Sequence, residues 1–212
     1  MSTESNSSAS TTGIITSPQA PLISTFIAVI LGASLIEFNE FLFPPKITSL
    51  NFWALIAVYY GAIATWFGIT TMSRYRPYKD TFMSRTWITF GIFHLTSYLA
   101  LMYFATRLTD SLFAYLWCWV FLLIVTWLSI LFRKMDLHLP EPLGWCGLHV
   151  LLMLAIATTY SIWTLFSHSI PTVANWVFVF MAFAIHVSYR QSAKMRHAWE
   201  PVPSDQQQSY LH

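Results

Sequence analysis

Six long apolar segments set the class of fold that is open to this chain. They cover residues 22–43, 50–72, 84–106, 111–132, 144–166 and 172–189. Each holds about 18–23 residues, the length with which a helix rising ~1.5 Å per residue crosses ~30 Å of hydrocarbon. Hydrophobic residues make up 56% of the chain and charged residues 9%, too few charges to cover a soluble domain. The sequence therefore predicts an all-α fold, a six-helix transmembrane bundle with short loops.

The distribution of basic residues predicts how such a bundle is oriented. Of the 11 Lys and Arg residues, only Lys46 and Arg107 fall on one side of a six-span arrangement. The other nine fall on the opposite side: Arg74, Arg76, Lys79, Arg85, Arg133, Lys134, Arg190, Lys194 and Arg196. Because cytoplasmic loops carry an excess of Lys and Arg, this bias places both termini in the cytoplasm. The prediction is a multi-pass protein of the cell membrane, N-in and C-in.

Composition also predicts the tails and the partners of the chain. Residues 1–21, rich in Ser and Thr, are expected to form a disordered cytoplasmic tail. Residues 22–189 are the predicted transmembrane domain, and residues 190–212 a flexible cytoplasmic tail. The lipid bilayer is the first expected partner, and a homo-oligomer or another membrane protein stays open. Nucleic acid is not expected at a net charge of +2.

Anionic lipid of the inner leaflet is the second expected partner. A Lys or Arg that is well placed at such a surface contributes roughly 1 kcal/mol of attraction. The residues expected to make this contact lie in the second and fourth connections: Arg74, Arg76, Lys79, Arg133 and Lys134.

Two carboxylates in the first segment are its sharpest anomaly. Glu37 and Glu40 stand three residues apart and so share a helical face. Glu37 would lie ~9 Å inside the membrane boundary, where acidic groups usually face the bundle interior, water or a cation. The functional interpretation is a cation or proton site with Asn39 at its edge and Glu37 facing the interior. The alternatives are an ion pair of Glu37 with Arg107 or Lys46, or a helix that ends early and leaves the carboxylates at the interface.

Three histidines fall inside predicted spans: His94, His149 and His186. The last two lie at similar depth on consecutive segments joined by a short connection, so they are expected on neighbouring helices. The pair could hold haem iron or another metal, or relay protons with His94, which belongs to the candidate cation or proton site. Alternatively, each histidine hydrogen-bonds a neighbouring helix. No cofactor is predicted, and haem is kept only as an alternative.

A stripe of small residues predicts one close helix contact. Ala57, Gly61 and Thr65 recur every four residues on the second segment. Such a stripe lets another backbone approach closely within a membrane. Replacing Gly61 by a bulky residue is therefore expected to destabilise the bundle.

The sequence contains no motif that assigns catalysis. Neither HExxH, nor GxSxG, nor a P-loop pattern occurs, so an enzyme is not expected. The leading hypothesis is movement of a small cation or proton. The rival hypotheses are a non-catalytic membrane scaffold or partner subunit, and a membrane haem or metal redox protein that uses His149 and His186.

Overall fold

The protein is all-helical in its computed structural model, which describes residues 19–75, 82–137, 143–167 and 170–191. These residues form seven helices and no strand: α1 (Gln19–Glu37), α2 (Asn39–Leu42), α3 (Leu50–Tyr75), α4 (Phe82–Ala105), α5 (Leu108–Leu137), α6 (Leu143–Phe166) and α7 (Thr172–Gln191). The predicted fold class is confirmed at this level. The predicted tails lie outside the described residues, except for residues 19–21 and 190–191, which belong to α1 and α7. Arg76 and Lys79 also lie outside them.

The first predicted segment is not one continuous helix, so the prediction of a single helix over residues 22–43 is wrong. The N–H of Phe38 still donates to the carbonyl of Ser34 at 2.9 Å. Phe38 itself has φ −102° and ψ 18°, which lies outside the helical region. The single turn of α2 then closes with a bond of 2.8 Å from the N–H of Phe43 to the carbonyl of Asn39.

The other segments each coincide with one long helix. Three of these helices extend past their predicted C-terminal ends. α3 continues to Tyr75, α5 to Leu137 and α7 to Gln191. Arg133 and Lys134 therefore belong to α5 rather than to a connection. Arg190 belongs to the last turn of α7 rather than to a tail, where a cation complements the partial negative charge of a helix C-terminus.

Apolar helices indicate a membrane-embedded protein. Within the residues that are described, four helices are long and apolar enough to cross a membrane, over Leu50–Gly68, Leu108–Phe132, Gly144–Phe166 and Thr172–Gln191. α1 and α4 carry shorter apolar stretches, Thr25–Glu37 and Thr89–Ala105. Large apolar side chains such as Ile36 (82% exposed) and Phe166 (84% exposed) face outward, as hydrocarbon surroundings favour. The count of six spans and the orientation stay predictions.

The core forms around α5 and α3. α5 packs on α4, α6 and α7, while α3 packs on α1, α4 and α7. Consecutive long helices run antiparallel. Asn51 Nδ2 at the start of α3 donates to the carbonyl of Thr106 after α4 at 2.7 Å. Side chains early in α4, α5 and α6 likewise contact side chains late in the helix that follows each of them. Consequently α3, α5 and α7 all finish at the end of the bundle that carries Arg190, here called the Arg190 end. α1 finishes at the opposite end, called the Glu37 end.

Candidate functional site

A buried imidazole without hydrogen bonds marks the polar centre of the bundle. His186 on α7 is 1% exposed, and neither of its ring nitrogens has a hydrogen-bond partner. Its ring centroid lies 4.6 Å from that of Trp119 on α5 and 6.3 Å from that of Tyr60 on α3. Most buried polar groups are hydrogen-bonded, because leaving one unpaired costs about 1–3 kcal/mol. Among the described side chains with such an unpartnered buried atom, His186 is the only histidine.

Gly61 is what allows α3 to approach this imidazole. A Cβ atom at Gly61 would lie 2.9 Å from His186 Nε2, 3.3 Å from Trp119 Cη2 and 3.3 Å from Tyr98 Cε1. Four helices therefore meet at one glycine. Ala57 and Thr65 on the same face are also buried. The stripe therefore faces other helices, as predicted, although the atoms nearest to Gly61 belong to side chains rather than to another backbone.

Arg190 joins the end of α7 to two other helices. Its guanidinium donates from Nη2 to the hydroxyl of Thr65 on α3 and lies within electrostatic range of the hydroxyl of Tyr98 on α4. The Thr65 and Tyr98 oxygens are themselves 2.7 Å apart. The guanidinium lies 5.4 Å from the ring centroid of Tyr189, and its Nε is buried without a partner. His186, Tyr189, Arg190, Thr65 and Tyr98 are together called the His186 cluster.

His94 is bonded through both ring nitrogens. Its Nδ1 lies 2.8 Å from the carbonyl of Phe90, one turn earlier on α4, and its Nε2 lies 2.9 Å from Thr126 Oγ1 on α5. A carbonyl can only accept, so Nδ1 carries the proton and a neutral Nε2 accepts from the Thr126 hydroxyl. Thr126 Oγ1 also lies 2.8 Å from the carbonyl of Leu122. A protonated His94 could thus donate to Thr126, whose own proton would turn to that carbonyl.

His149 repeats the same arrangement on α6. Its Nδ1 lies 2.8 Å from the carbonyl of Trp145, and its Nε2 lies 3.2 Å from Ser188 Oγ on α7. The rings of His149 and His186 lie 5.7 Å and 6.4 Å from the ring of Tyr189. The structure therefore brings the two histidines of the candidate pair to one tyrosine. The Tyr189 hydroxyl has no nitrogen or oxygen partner and lies beside the thiol of Cys146.

The arrangement of this pair does not fit a haem held by two imidazoles. Each imidazole would have to point one nitrogen at the iron. Both nitrogens of His149 already face protein partners, and His186 Nε2 faces Gly61 at close range. No cluster of three or more His, Cys, Asp or Glu side chains in the described part of the chain has the geometry to hold a metal ion.

The carboxylates of the first segment lie apart from this cluster. Glu37, Asn39 and Glu40 flank the break between α1 and α2, and all three are exposed. The expectation that Glu37 faces the bundle interior is therefore wrong, since the helix ends there and leaves the carboxylates at the rim. Arg107 donates from Nη1 to the hydroxyl of Tyr103 at 2.7 Å and lies 4.6 Å from the centroid of that ring. Its ion pair with Glu37 stays a prediction.

Comparison with known proteins does not assign the chain to a family. No family model, curated protein or solved structure matches it.

Two features of the site were not foreseen from the sequence. Arg190 was expected in a tail, although it stands four residues after His186 and so shares the inward face of α7. The spacing of four residues between His186 and Arg190 is the sequence feature that indicates their shared face. Tyr98 and Thr65 were visible only as hydroxyls within apolar segments, and nothing in the sequence pairs them with an arginine 92 or more residues away.

Proposed function

We propose that this chain is a six-span integral protein of the cell membrane, with both termini in the cytoplasm, that moves protons through its helix bundle. The observation that carries the proposal is the buried His186, whose two ring nitrogens have no protein partner. Histidine is the side chain that ordinarily changes charge between about pH 5 and 8. Ionisable side chains inside membrane bundles commonly mark ion pathways and proton relays.

The bonding of His94 supports the same function. With Nε2 facing the hydroxyl of Thr126, and that hydroxyl facing the carbonyl of Leu122, the ring is hydrogen-bonded in its neutral and its protonated forms. Rotation of the Thr126 hydroxyl converts the hydrogen bonds of neutral His94 into those of protonated His94. A group that keeps its bonds in both charge states is suited to receive and release protons.

The fixed charge of Arg190 favours a proton over a metal cation, which narrows the hypothesis drawn from the sequence. Two unit charges 4 Å apart interact with about 4 kcal/mol at an effective dielectric of ~20, so a metal ion beside the guanidinium would be repelled. A proton on His186 meets the same repulsion, but it is held by a covalent bond to a ring nitrogen, which no metal ion has there. The described carboxylates that would attract a metal ion, Glu37, Glu40 and Asp110, are all exposed at the Glu37 end.

Reconstitution tests the proposal directly. The purified protein in liposomes that contain a pH-sensitive dye should conduct protons faster than empty liposomes when a proton gradient is imposed. The rate should persist when sodium and potassium are replaced by a large organic cation. A rate that depends on one of these metal ions would contradict proton movement, and equal rates with and without protein under every gradient would reject transport.

A scaffold or partner subunit is the second candidate, and the outer surfaces of α6 and α7 favour it. Only 28% of each of these apolar stretches is buried, against 50% for α3 and 56% for α5. The exposed apolar side chains include Leu151, Leu165, Val173 and Val177. Such a surface suits lipid and equally a second membrane protein or a second copy of this chain.

Neutralising the rim carboxylates is expected to have small effects. Glu37→Gln and Glu40→Gln should each change the free energy of unfolding by no more than about 0.5 kcal/mol, because both side chains are exposed. Proton flux should fall by a few fold at 10 mM salt and by little at 150 mM, since salt screens the attraction of cations to a negative rim. Flux assays at the two salt concentrations check this. Complete loss of flux in Glu37→Gln at 150 mM salt would make Glu37 a member of the relay itself.

Reporter fusions check the proposed orientation. A reporter placed after His212 and another placed before Leu22 should both be cytoplasmic, because nine of the 11 basic residues fall on that side. A reporter inserted near Ile170, between α6 and α7, should be external. A cytoplasmic reading at Ile170 would contradict the arrangement with six spans.

A further inference from the structure

We infer that Arg190 is a latch controlled by the charge of His186: protonation of His186 releases the guanidinium from Thr65 and Tyr98 and so frees the end of α7 from α3 and α4. The inference concerns regulation of the same cluster and rests on the proposed function only in requiring that His186 receives protons. It predicts a movement that can be measured without measuring flux.

The spacing on α7 places the two groups together. His186 and Arg190 are four residues apart on one helix, which brings their Cβ atoms within about 5–6 Å. The imidazole lies within electrostatic range of the guanidinium. Like charges at this spacing destabilise a helix, and burial weakens the screening that water would supply. A neutral His186 is compatible with Arg190 in its bonded position, and a protonated one opposes it.

The surroundings of His186 offer no described carboxylate to balance a second positive charge. The titratable or charged groups that face it or its immediate neighbours are Tyr60 of α3, His94 and Tyr98 of α4, Cys146 and His149 of α6, and Tyr189 and Arg190 of α7. α5 contributes Trp119, which does not titrate. The carboxylates with described side chains, Glu37, Glu40 and Asp110, belong to the Glu37 end.

Of the two charged groups, the Arg190 guanidinium is the one that can move away when His186 is protonated. Arg190 stands in the last turn of α7 and is only partly buried, so its guanidinium can regain water by a short movement. Its hydrogen bond within the cluster is to the Thr65 hydroxyl, and its Nε has none. His186 is instead fixed between the Trp119 ring and the backbone at Gly61. Departure of Arg190 removes the hydrogen bond that joins α7 to Thr65, whose oxygen is in turn bonded to Tyr98.

Spin labels at the Arg190 end test the latch. Cysteines at Phe67 on α3 and Gln191 on α7, both exposed, carry the labels in a background of Cys118→Ser and Cys146→Ala. The full chain is studied in nanodiscs between pH 8 and pH 4, because burial of His186 and the charge of Arg190 both oppose its protonation. Dipolar broadening between the labels should be strong at pH 8 and at least halved at pH 4, reversibly. Unchanged broadening over this range would overturn the latch.

Variants separate the latch from a general effect of acid. His186→Gln should keep the broadening at both pH values, and Arg190→Gln should lack it already at pH 8. Thr65→Val, which removes one acceptor of Arg190, should release α7 at a higher pH than the parent. Asp136→Asn, a change of the one acidic residue near the end of α5, should leave the response unaltered. A pH response that survives in His186→Gln, or disappears in Asp136→Asn, would assign control to another group and overturn the inference.

The spin-label measurement and the flux assay test the latch and proton movement separately. If the labels respond through His186 while the protein conducts no protons, the latch stands and proton movement is rejected. If protons are conducted and the labels do not move, the latch is rejected and proton movement stands.

Discussion

Gly61→Ala is expected to lower the melting temperature of the purified protein, and Gly61→Leu to prevent the bundle from assembling. A Cβ at Gly61 would lie 2.9 Å from His186 Nε2 and 3.3 Å from Trp119 Cη2. Both neighbours are almost completely buried, so neither can move aside without disturbing the core. Overpacking of this kind typically costs about 1–3 kcal/mol, which corresponds to roughly 2–12 °C in a chain of this size. Leucine would add three further carbon atoms at the same place.

Two other glycines serve as matched controls for this prediction. Gly32 has nothing within 4 Å of the position where a Cβ would be added, and Gly147 has only Trp127 Nε1 at 3.9 Å. Gly32→Ala and Gly147→Ala should leave the melting temperature in detergent within about 2 °C of the parent, because ordinary contact distances need no rearrangement. If Gly61→Ala behaves like these controls, α3 does not approach α7 as closely as the structure shows.

The sequence predicts the helices well because hydrocarbon imposes a length and a composition on each of them. Five of the six segments match single helices with small differences at the ends. The stripe of Ala57, Gly61 and Thr65 also predicts a contact correctly, since close approach of two helices requires small side chains. Both signals are local, and local signals can be read from spacing alone.

The break at Phe38 is a feature that local sequence signals do not predict. No proline or glycine interrupts the stretch from Leu35 to Phe43, and apolar residues continue through it. The backbone nevertheless leaves the helix at Phe38 and forms a separate turn. The carboxylates consequently lie at the rim, although counting residues along an unbroken helix would bury Glu37. This stretch also contacts α3, a tertiary contact that residue spacing does not encode.

The bonding of the three histidines could not have been predicted for the same reason. His94, His149 and His186 all stand within apolar helices. His94 and His149 each hydrogen-bond a carbonyl one turn earlier and a hydroxyl on a neighbouring helix. His186 has neither bond, because its ring is turned toward Trp119 and Gly61. Only the tertiary arrangement distinguishes the unbonded imidazole from the bonded ones.

His186→Gln is expected to reduce proton flux at least tenfold in reconstituted liposomes, while His149→Gln retains at least half of it. Glutamine keeps a polar side chain of similar length and does not titrate between pH 5 and 8, so the first variant removes the proton acceptor at the centre of the cluster. The second removes an imidazole that is already bonded to Trp145 and Ser188.

The measurement is the initial rate of dye acidification at equal amounts of reconstituted protein. Melting temperatures recorded in parallel show that both variants are folded. If His186→Gln is folded and conducts as fast as the parent, the unbonded imidazole has no part in proton movement. Equal losses in the two variants would point instead to general disturbance where α6 packs on α7. A loss of flux confined to His186→Gln would support a proton relay over a scaffold. Both histidines are buried and flank the same tyrosine, so a purely structural role predicts similar effects for the two variants.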